Sequence, residues 1–299
     1  MNELKKNIIS MCGKEGKQWL DSLPEITAKI AQEHNLSGLT PVTNMTFNYV
    51  ASGYQNDKPI ILKIGLNSKA LAKETHCLRA FSNHAAVGVL ADDNNMIIME
   101  RSVPGTTLKE YFPAKDIEAT TILCSVINEL HSANVPDKHD FYHVKELLKT
   151  LDQKLDIPDE ILTKAKHLRD DLLRSTKKEV LLHGDLHHDN ILKNGNDKSR
   201  RRAKIEGRWL VIDPKGFIGD PAFEPAAHLC NPIPELLHKD NAKQIVSDRI
   251  KLCAEKLEIP EQRIKDWLYV KSVLCWAWSL EDKLDSSYWP KFLEKISIN

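Results

Sequence analysis

A chain of 299 residues is too long for one minimal core and too short for a multidomain array, so two lobes around a shared cleft suit it. Hydrophobic residues at 41% support a real interior, and Lys plus Arg balances Asp plus Glu at 42 each. That balance argues against a nucleic-acid partner, which needs a strongly basic domain or patch, but leaves room for a local anion site. No apolar run approaches the roughly 20 residues that cross a bilayer. The N-terminus is interrupted by charge and glycine before a signal sequence can form. Six cysteines, at 12, 77, 124, 230, 253 and 275, make no CxxC pair and read as reduced, mostly buried thiols. A cytoplasmic protein with no membrane association and no obligatory protein partner is expected.

Residues 3 to 35 read as helix, interrupted near Gly13 and Gly16. Trp19, Leu20, Leu23, Ile26 and Ile30 recur close to one face, and Pro24 is placed near a helix start. Phe47, Tyr49 and Val50 suggest one strand and Ile60 to Ile64 the next, with SGYQND as the hairpin connection. A helix over 67 to 83 takes Asn67 or Ser68 as its cap. Short strands fit Val87 to Ala91 and Met96 to Glu100. The turn-rich SVPGTT at 102 to 107 then marks the boundary between residues 1–101 and 102–299. Beyond it, helices are expected at 116 to 132, 141 to 154, 159 to 174, 234 to 256 and 261 to 282. LLHGDLHHDNILKN and WLVIDPKGF read as short strands flanking loops. The fold class is α+β: a smaller, partly β N-terminal lobe and a larger helical one.

The informative stretch is HGDLHHDN at 183 to 190, followed by VIDP at 211 to 214. Asp and Asn oxygens are hard ligands suited to Mg²⁺, which takes few protein ligands and keeps contact with substrate phosphates. A further carboxylate beside them can orient a hydroxyl and accept its proton, which together are the needs of phosphoryl transfer. His183, His187 and His188 offer the competing zinc reading, but no HExxH or HxxEH motif organises them. His183 reads better as a residue holding the loop through backbone hydrogen bonds, and His187 and His188 as partly exposed.

HGDLHHDN resembles the catalytic loop of aminoglycoside phosphotransferases, within the protein-kinase-like fold. LLHGDLHHDNIL with WLVIDPKGFIGDPAFEPA is similar to the aminoglycoside and hydroxyurea phosphotransferase family, whose members include streptomycin 6-kinases. The resemblance runs from about residue 38 to the C-terminus. It implies a two-lobed protein-kinase-like fold with the nucleotide in lobe 1–101 and catalysis and acceptor binding in 102–299. It implies that Asp185 orients and deprotonates the acceptor hydroxyl, and that Asn190 and Asp213 bind Mg²⁺. Lys63, on an apolar strand, and Glu74, on the next helix, resemble the pair that positions nucleotide phosphates; an edge-strand charge and an ordinary surface residue are the alternatives. Backbone groups around Glu100 and Ser102 would meet the adenine edge. ATP is implied by the resemblance, and the residues themselves do not separate it from GTP.

The glycine-rich loop is poorly marked, with Asn48, Ser52 and Gly53 as its candidates. Asp220 suits a structural role, and Glu224 either an acceptor contact or a helix N-terminus. Trp276 and Trp278 are two apart, so one is expected in the core and one at the pocket. Glu281 and Asp282 offer charge to a cationic acceptor. The run KNGNDKSRRRAKIEGR at 193 to 208, with seven Lys or Arg against two acidic residues, reads as an exposed basic hairpin. The expected activity is ATP- and Mg²⁺-dependent phosphorylation of a hydroxyl on a small-molecule acceptor, an aminoglycoside such as streptomycin first. A metabolic small-molecule kinase and a nonenzymatic nucleotide-binding regulator are the alternatives.

Overall fold

A computed structural model describes residues 1–93, 95–137, 139–195 and 208–296. The basic run expected as a hairpin falls largely outside the described residues. Helix α1 (Asn2–Glu33) changes direction at Gly13, whose φ of 53° and ψ of −123° leave the helical region. A left-handed φ costs glycine almost nothing, which is why the break falls there. Gly16 is not a break but a close approach: a Cβ there would lie 2.6 Å from the Ile8 carbonyl oxygen. Pro24 lies inside the helix rather than at a start, so the run of intrahelical bonds is interrupted one turn upstream while Leu23 and Ile30 keep their buried stripe.

Strands β1 (Leu36–Pro41), β2 (Tyr49–Gln55) and β3 (Lys58–Ile64) follow. Helix α2 (Ser68–Ala80), capped by the Asn67 side chain on the Ala70 N–H at 3.1 Å, leads to β4 (Val89–Asp93) and β5 (Met96–Glu100). Among the described residues the strands form an antiparallel sheet in the order β1-β2-β3-β5-β4. The β2–β3 hairpin closes at Asn56 and Asp57, both at positive φ, as a two-residue turn between right-twisted strands requires. β1 went unpredicted: LSGLTP has no buried alternation, because this edge strand is half exposed along its length.

The period of two sorts the sheet's faces. Ile60, Leu62, Ile64, Met96 and Ile98 point to one face and pack with Trp19, Leu23 and Ile30 of α1. Ile97 and Met99 point to the other, where they join Leu71 and Leu78 of α2 and the core of the second lobe. Lys63 has the parity of that second face, paired across the sheet with Val50 and Ile97, so the pleat sends its ammonium toward the cleft.

The chain passes from one sheet to another between Glu100 and β6 (Pro104–Thr107), which pairs with β9 (Ile191–Asn194), itself paired with β10 (Arg208–Val211). Helices α3 (Asp116–Leu130), α4 (Val144–Leu148) and α5 (Asp159–Ser175) come between, with β7 (Tyr142–His143) just ahead of α4 and β8 (Val180–Leu182) after α5. The helix expected over 141 to 154 is thus one short turn of α-helix continued by a 3₁₀ turn. β11 (Phe217–Gly219) pairs with β7 and β8. After α6 (Ala226–Leu229), Pro232 and Pro234 keep their neighbours out of the helical region, so α7 is Ala242–Leu257 and begins well after residue 234. Helix α8 (Glu261–Glu281) is apolar on nearly all sides and forms the lobe's axis, burying Trp267, Val270, Leu274 and Ala277. Helix α9 (Tyr288–Ile296), absent from the expectations, buries Tyr288, Trp289, Phe292 and Ile296 at helical spacing. None of the described helices is long and apolar enough to cross a membrane.

Candidate active site

The loop between β8 and β9 carries HGDLHHDN. His183 is fully buried, and its Nε2 lies 2.8 Å from the Ile212 carbonyl, which can only accept. The ring therefore carries its proton on Nε2, leaving Nδ1 to accept from the Asp185 N–H at 3.3 Å. Burial lowers the His183 pKa, outweighing the pull of Glu224, and keeps that neutral tautomer. The His183 carbonyl in turn accepts from the Lys215 N–H at 2.8 Å, tying this loop to the one after β10. From below, the Glu224 carboxylate accepts the N–H groups of His183 at 2.7 Å and Gly184 at 3.0 Å. Gly184 sits at φ +83°, and a Cβ there would be 2.5 Å from the Phe217 ring.

Asp185 emerges from this frame with its side chain about a third exposed, at 35%, and one oxygen 3.8 Å from Lys215 Nζ. Burial raises its pKa, but His187, Lys215 and Lys271 together pull it below the ordinary carboxylate value. Asn190, buried beneath, donates its Nδ2–H to the Asp185 carbonyl at 2.9 Å. A carbonyl cannot donate, so this bond fixes the amide and leaves Oδ1 to face other ligands. The Asn190 carbonyl accepts from the Ile212 N–H at 3.1 Å, which sets the two motif-bearing segments side by side.

Asp213 follows β10 at a φ of 58°, in the left-handed region that aspartate tolerates better than bulkier residues. It reaches across the cleft to Lys63, whose Nζ stands 2.8 Å from Asp213 Oδ1 and 2.8 and 2.7 Å from the two Glu74 oxygens. One buried ammonium is thus shared by two carboxylates. Burial works to lower the Lys63 pKa, but Asp213 and Glu74 carry it above its usual value. Burial pushes Glu74 up to about 7 despite Lys63. Asp213 also meets a burial penalty, yet the Lys63 ammonium holds it down to about 2.

Two cavities meet at this point. One, of about 670 Å³, lies under the β1–β2 loop and is bordered by Thr46, Asn48, Lys63, Glu74 and Asp213, with Ile8 and Cys12 of α1 as its roof. The other, of about 440 Å³, holds Asp185, Lys271, Trp278 and Trp289. Lys215 and Phe217 border both. A hydroxyl beside Asp185 and a phosphate beside Lys63 would approach one another past Lys215.

Residues 46–283 match the family model described as aminoglycoside/hydroxyurea antibiotic resistance kinase. The chain belongs to that family. It is similar to a streptomycin 6-kinase of Streptomyces griseus, 25% identical over 281 residues that cover 91% of this chain and 88% of the relative. A streptomycin 3''-kinase of Klebsiella pneumoniae is 26% identical over 233 residues, 76% and 82% of the two chains. In fold it resembles a thermostable mutant of aminoglycoside phosphotransferase APH(4)-Ia, solved as a ternary complex with ADP and hygromycin B. The TM-score is 0.62 at 13% identity, over 90% of this chain and 95% of that one. The chain is a small-molecule phosphotransferase with the protein-kinase-like α+β fold.

Within this kinase, Lys63, Glu74 and Asp213 are brought together, and Asp185 and Asn190 lie on the loop beside them. Glu100 and Ser102 lie outside both cavities. The Glu100 N–H is spent on the Gly88 carbonyl at 2.9 Å, and the buried Ser102 hydroxyl has no hydrogen-bond partner among the described residues. Asn48 borders the first cavity, but Ser52 and Gly53 do not. They belong to β2, and the turn signal SGYQND serves the β2–β3 hairpin, whereas the loop over the cleft is 42–48, which also contains Phe47. Gly53 is there for close packing, since a Cβ would lie 2.7 Å from the Leu39 side chain.

Asp220 is structural as expected: it accepts from Trp267 Nε1 at 2.7 Å and Arg263 Nε at 2.8 Å and caps a 3₁₀ turn. Glu224 borders neither cavity: its buried carboxylate accepts the His183 and Gly184 N–H groups beneath the 183–190 loop, and its backbone closes the 3₁₀ turn at 221–223. His187 is partly exposed and its Nδ1 accepts from the Asp189 N–H. His188 is fully buried instead, stacked at 3.8 Å on the His228 ring, because the 3₁₀ turn at 188–190 points it inward. Trp276 is buried in the core and Trp278 borders the second cavity. Glu281 and Asp282 lie at the far end of α8, outside that cavity. Lys215 and Lys271 were missed. The spacing 271, 275, 278 puts Lys271 on one helical face with Cys275 and Trp278, a signal masked by the apolar residues surrounding it.

Proposed function

We propose that this kinase transfers the γ-phosphoryl group of ATP, with Mg²⁺, to a hydroxyl of a small-molecule acceptor, and that an aminoglycoside such as streptomycin is the first acceptor to test. The observation that carries the reading is the meeting of two cavities at Lys215, one bordered by Lys63 and Asp213 and the other by Asp185. Lys63, braced by Glu74, binds phosphate oxygens. Asp185 accepts the acceptor's proton as the new P–O bond forms and the electron pair of the breaking bond leaves with ADP. With its pKa below the ordinary carboxylate value, Asp185 is ionised near neutral pH, the form that can orient and accept from a hydroxyl. Lys215 faces the charge on the phosphoryl group in passage. Backbone groups around Glu100 and Ser102, where the chain passes from one sheet to the next, take the adenine edge.

The donor set fits a hard cation. Asn190 has its amide oxygen turned free by the bond to Asp185, and Asp213 supplies a carboxylate, which suits an ion that keeps most of its coordination for water and phosphate. Bound there, Mg²⁺ would neutralise phosphate charge. The kinship to streptomycin kinases supports the aminoglycoside acceptor. A second reading, a hydroxylated metabolite, is favoured by the two lysines bordering the acceptor-side cavity.

The experiment is phosphotransfer with Mg²⁺ and ATP over a panel of aminoglycosides and hydroxylated metabolites, read as a mass increase on the acceptor. Phosphorylated streptomycin is the expected product, and Asp185→Asn is expected to cut turnover by roughly 10²- to 10⁴-fold with the melting temperature little changed. A different phosphorylated metabolite would replace the acceptor. Nucleotide binding without any product would replace the enzyme reading with that of a regulator.

A further inference from the structure

The first half of α1, residues 2–12, stands over the cavity that holds Lys63 and Asp213, with Ile8, Met11 and Cys12 bordering it. Positions 8 and 16 of a straight helix would be about 12 Å apart along its axis. Here a Cβ on Gly16 would lie 2.6 Å from the Ile8 carbonyl oxygen and 2.8 Å from the Ile8 side chain. The bend at Gly13 therefore folds these residues back as an arm, seated at Gly16 on the second half of the helix. The arm precedes residues 46–283, the span shared with the family.

The arm is fastened to the loop over the same cavity. Leu4 and Ile8 are buried in one cluster with Met45 and Tyr49, and Asn7 Nδ2 donates to the Thr46 carbonyl at 3.1 Å. Loop 42–48, VTNMTFN, contains no glycine. It lacks the backbone freedom by which a glycine-rich loop covers nucleotide phosphates. Its last residues, Phe47 and Asn48, border the cavity beside the arm. What the arm presents there is apolar, and the nearest carboxylate, Glu15 beyond the bend, is exposed. Such a roof offers no ligand to phosphate oxygens, but it keeps water from them. Met11 is 69% exposed and Phe47 51%, so two apolar side chains at one mouth each have area left to bury.

We propose that residues 2–12 form a water-excluding wall of the phosphate site, and that Met11 and Phe47 meet across its mouth over a bound nucleoside triphosphate. The arm holds loop 42–48 in place of the missing glycines. With the mouth closed, the transferring phosphoryl group meets the acceptor hydroxyl rather than water. The proposal rests on the reading of the Lys63 cavity as the place of the nucleotide phosphates.

The test uses the full chain with Mg²⁺ and three probes, adenosine, ADP and AMP-PNP. Cys12 borders the cavity and is half-buried, so its rate of N-ethylmaleimide addition, read by peptide mass, reports on the arm. AMP-PNP should slow that addition and adenosine should not. Met11→Ser should weaken AMP-PNP binding roughly tenfold, the worth of about half a methionine's burial, and leave adenosine binding unchanged. It should also raise acceptor-independent ATP hydrolysis relative to transfer, and Met11→Leu should restore both. Because Met11 is exposed, the melting temperature should hardly move. Gly16→Ala pushes the arm off its seat and should act in the same direction more strongly. If that variant fails to fold, Met11→Ser decides.

Cys12 addition that proceeds at one rate with and without bound AMP-PNP overturns the proposal. So does Met11→Ser with wild-type AMP-PNP affinity and wild-type hydrolysis. An equal loss of adenosine and AMP-PNP binding would mean that the arm only supports the lobe, and sinks it too. In these three outcomes nucleotide still binds and the phosphotransferase reading stands. Protection of Cys12 by streptomycin instead of nucleotide, or no ADP binding at all, removes the nucleotide reading of the cavity and the proposal with it.

Discussion

The two cavities that meet at Lys215 handle charge in opposite ways. On the Lys63 side the ammonium is shared between Glu74 and Asp213 within 2.8 Å, and the cluster neutralises much of its own charge before any ligand arrives. On the Asp185 side the contact between Lys215 and Asp185 is looser, 3.8 Å, and Lys271 lies over the Phe223 and Trp278 rings while helping to lower the Asp185 pKa. A self-paired cluster suits a ligand that is the same in every turnover, because its geometry is set in advance. The looser side leaves more of its charge to be matched by the ligand, which suits discrimination.

Breaking the paired side should have the largest effect on stability. Lys63→Met removes the shared ammonium and leaves Glu74 buried against Asp213, at an expected cost of about 3 kcal/mol near pH 8. The sign with pH follows from Glu74. Its folded pKa of about 7 lies above its ordinary 4.5, so its contribution to stability is full below 4.5 and is lost as pH rises through 7. Without Lys63 that pKa moves higher still, and the loss deepens at alkaline pH. Denaturant unfolding at pH 5 and pH 8 should therefore show a larger deficit for Lys63→Met at pH 8. An equal deficit at both would mean that Glu74 and Lys63 are not coupled.

The frame common to both sides is a smaller target. Glu224→Gln replaces a carboxylate that accepts the His183 and Gly184 N–H groups with an amide whose NH₂ faces one of them. We expect a stability loss of about 2 kcal/mol and a drop in kcat of roughly 10- to 100-fold through displacement of Asp185. The acceptor KM should move much less than kcat. A variant that loses stability but keeps kcat would show that the loop does not depend on this bond.

The legible and illegible parts of the sequence divide along physical lines. HGDLHHDN and VIDP were legible as loops after short apolar strands, and their resemblance to the family that the chain proves to belong to carried the reading further. Lys63 could be read because a lysine inside PIILKIG violates the apolar pattern of its strand. The hairpin residues Ser52 and Gly53 misled because a turn composition near the right place does not say which turn it builds. Glu224 and His188 depended on what lies beneath the loop, which no local pattern records. Lys271 was hidden by its context: in a helix buried on all sides, no amphipathic stripe marks the position facing a cavity.

The smallest expected effect separates the acceptor cavity from its acidic neighbourhood. Glu281 and Asp282 look suited to attract a cation, but they stand at the exposed end of α8 and border neither cavity. Charges in solvent beyond roughly 8 Å are largely screened at physiological salt. Glu281→Gln with Asp282→Asn should change the acceptor KM by less than about twofold, since surface substitutions that break no buried contact have small effects. That near-silence would place acceptor choice inside the cavity, with the groups that border it. If the acidic pair changed KM severalfold, acceptor choice would instead follow the overall field of the lobe.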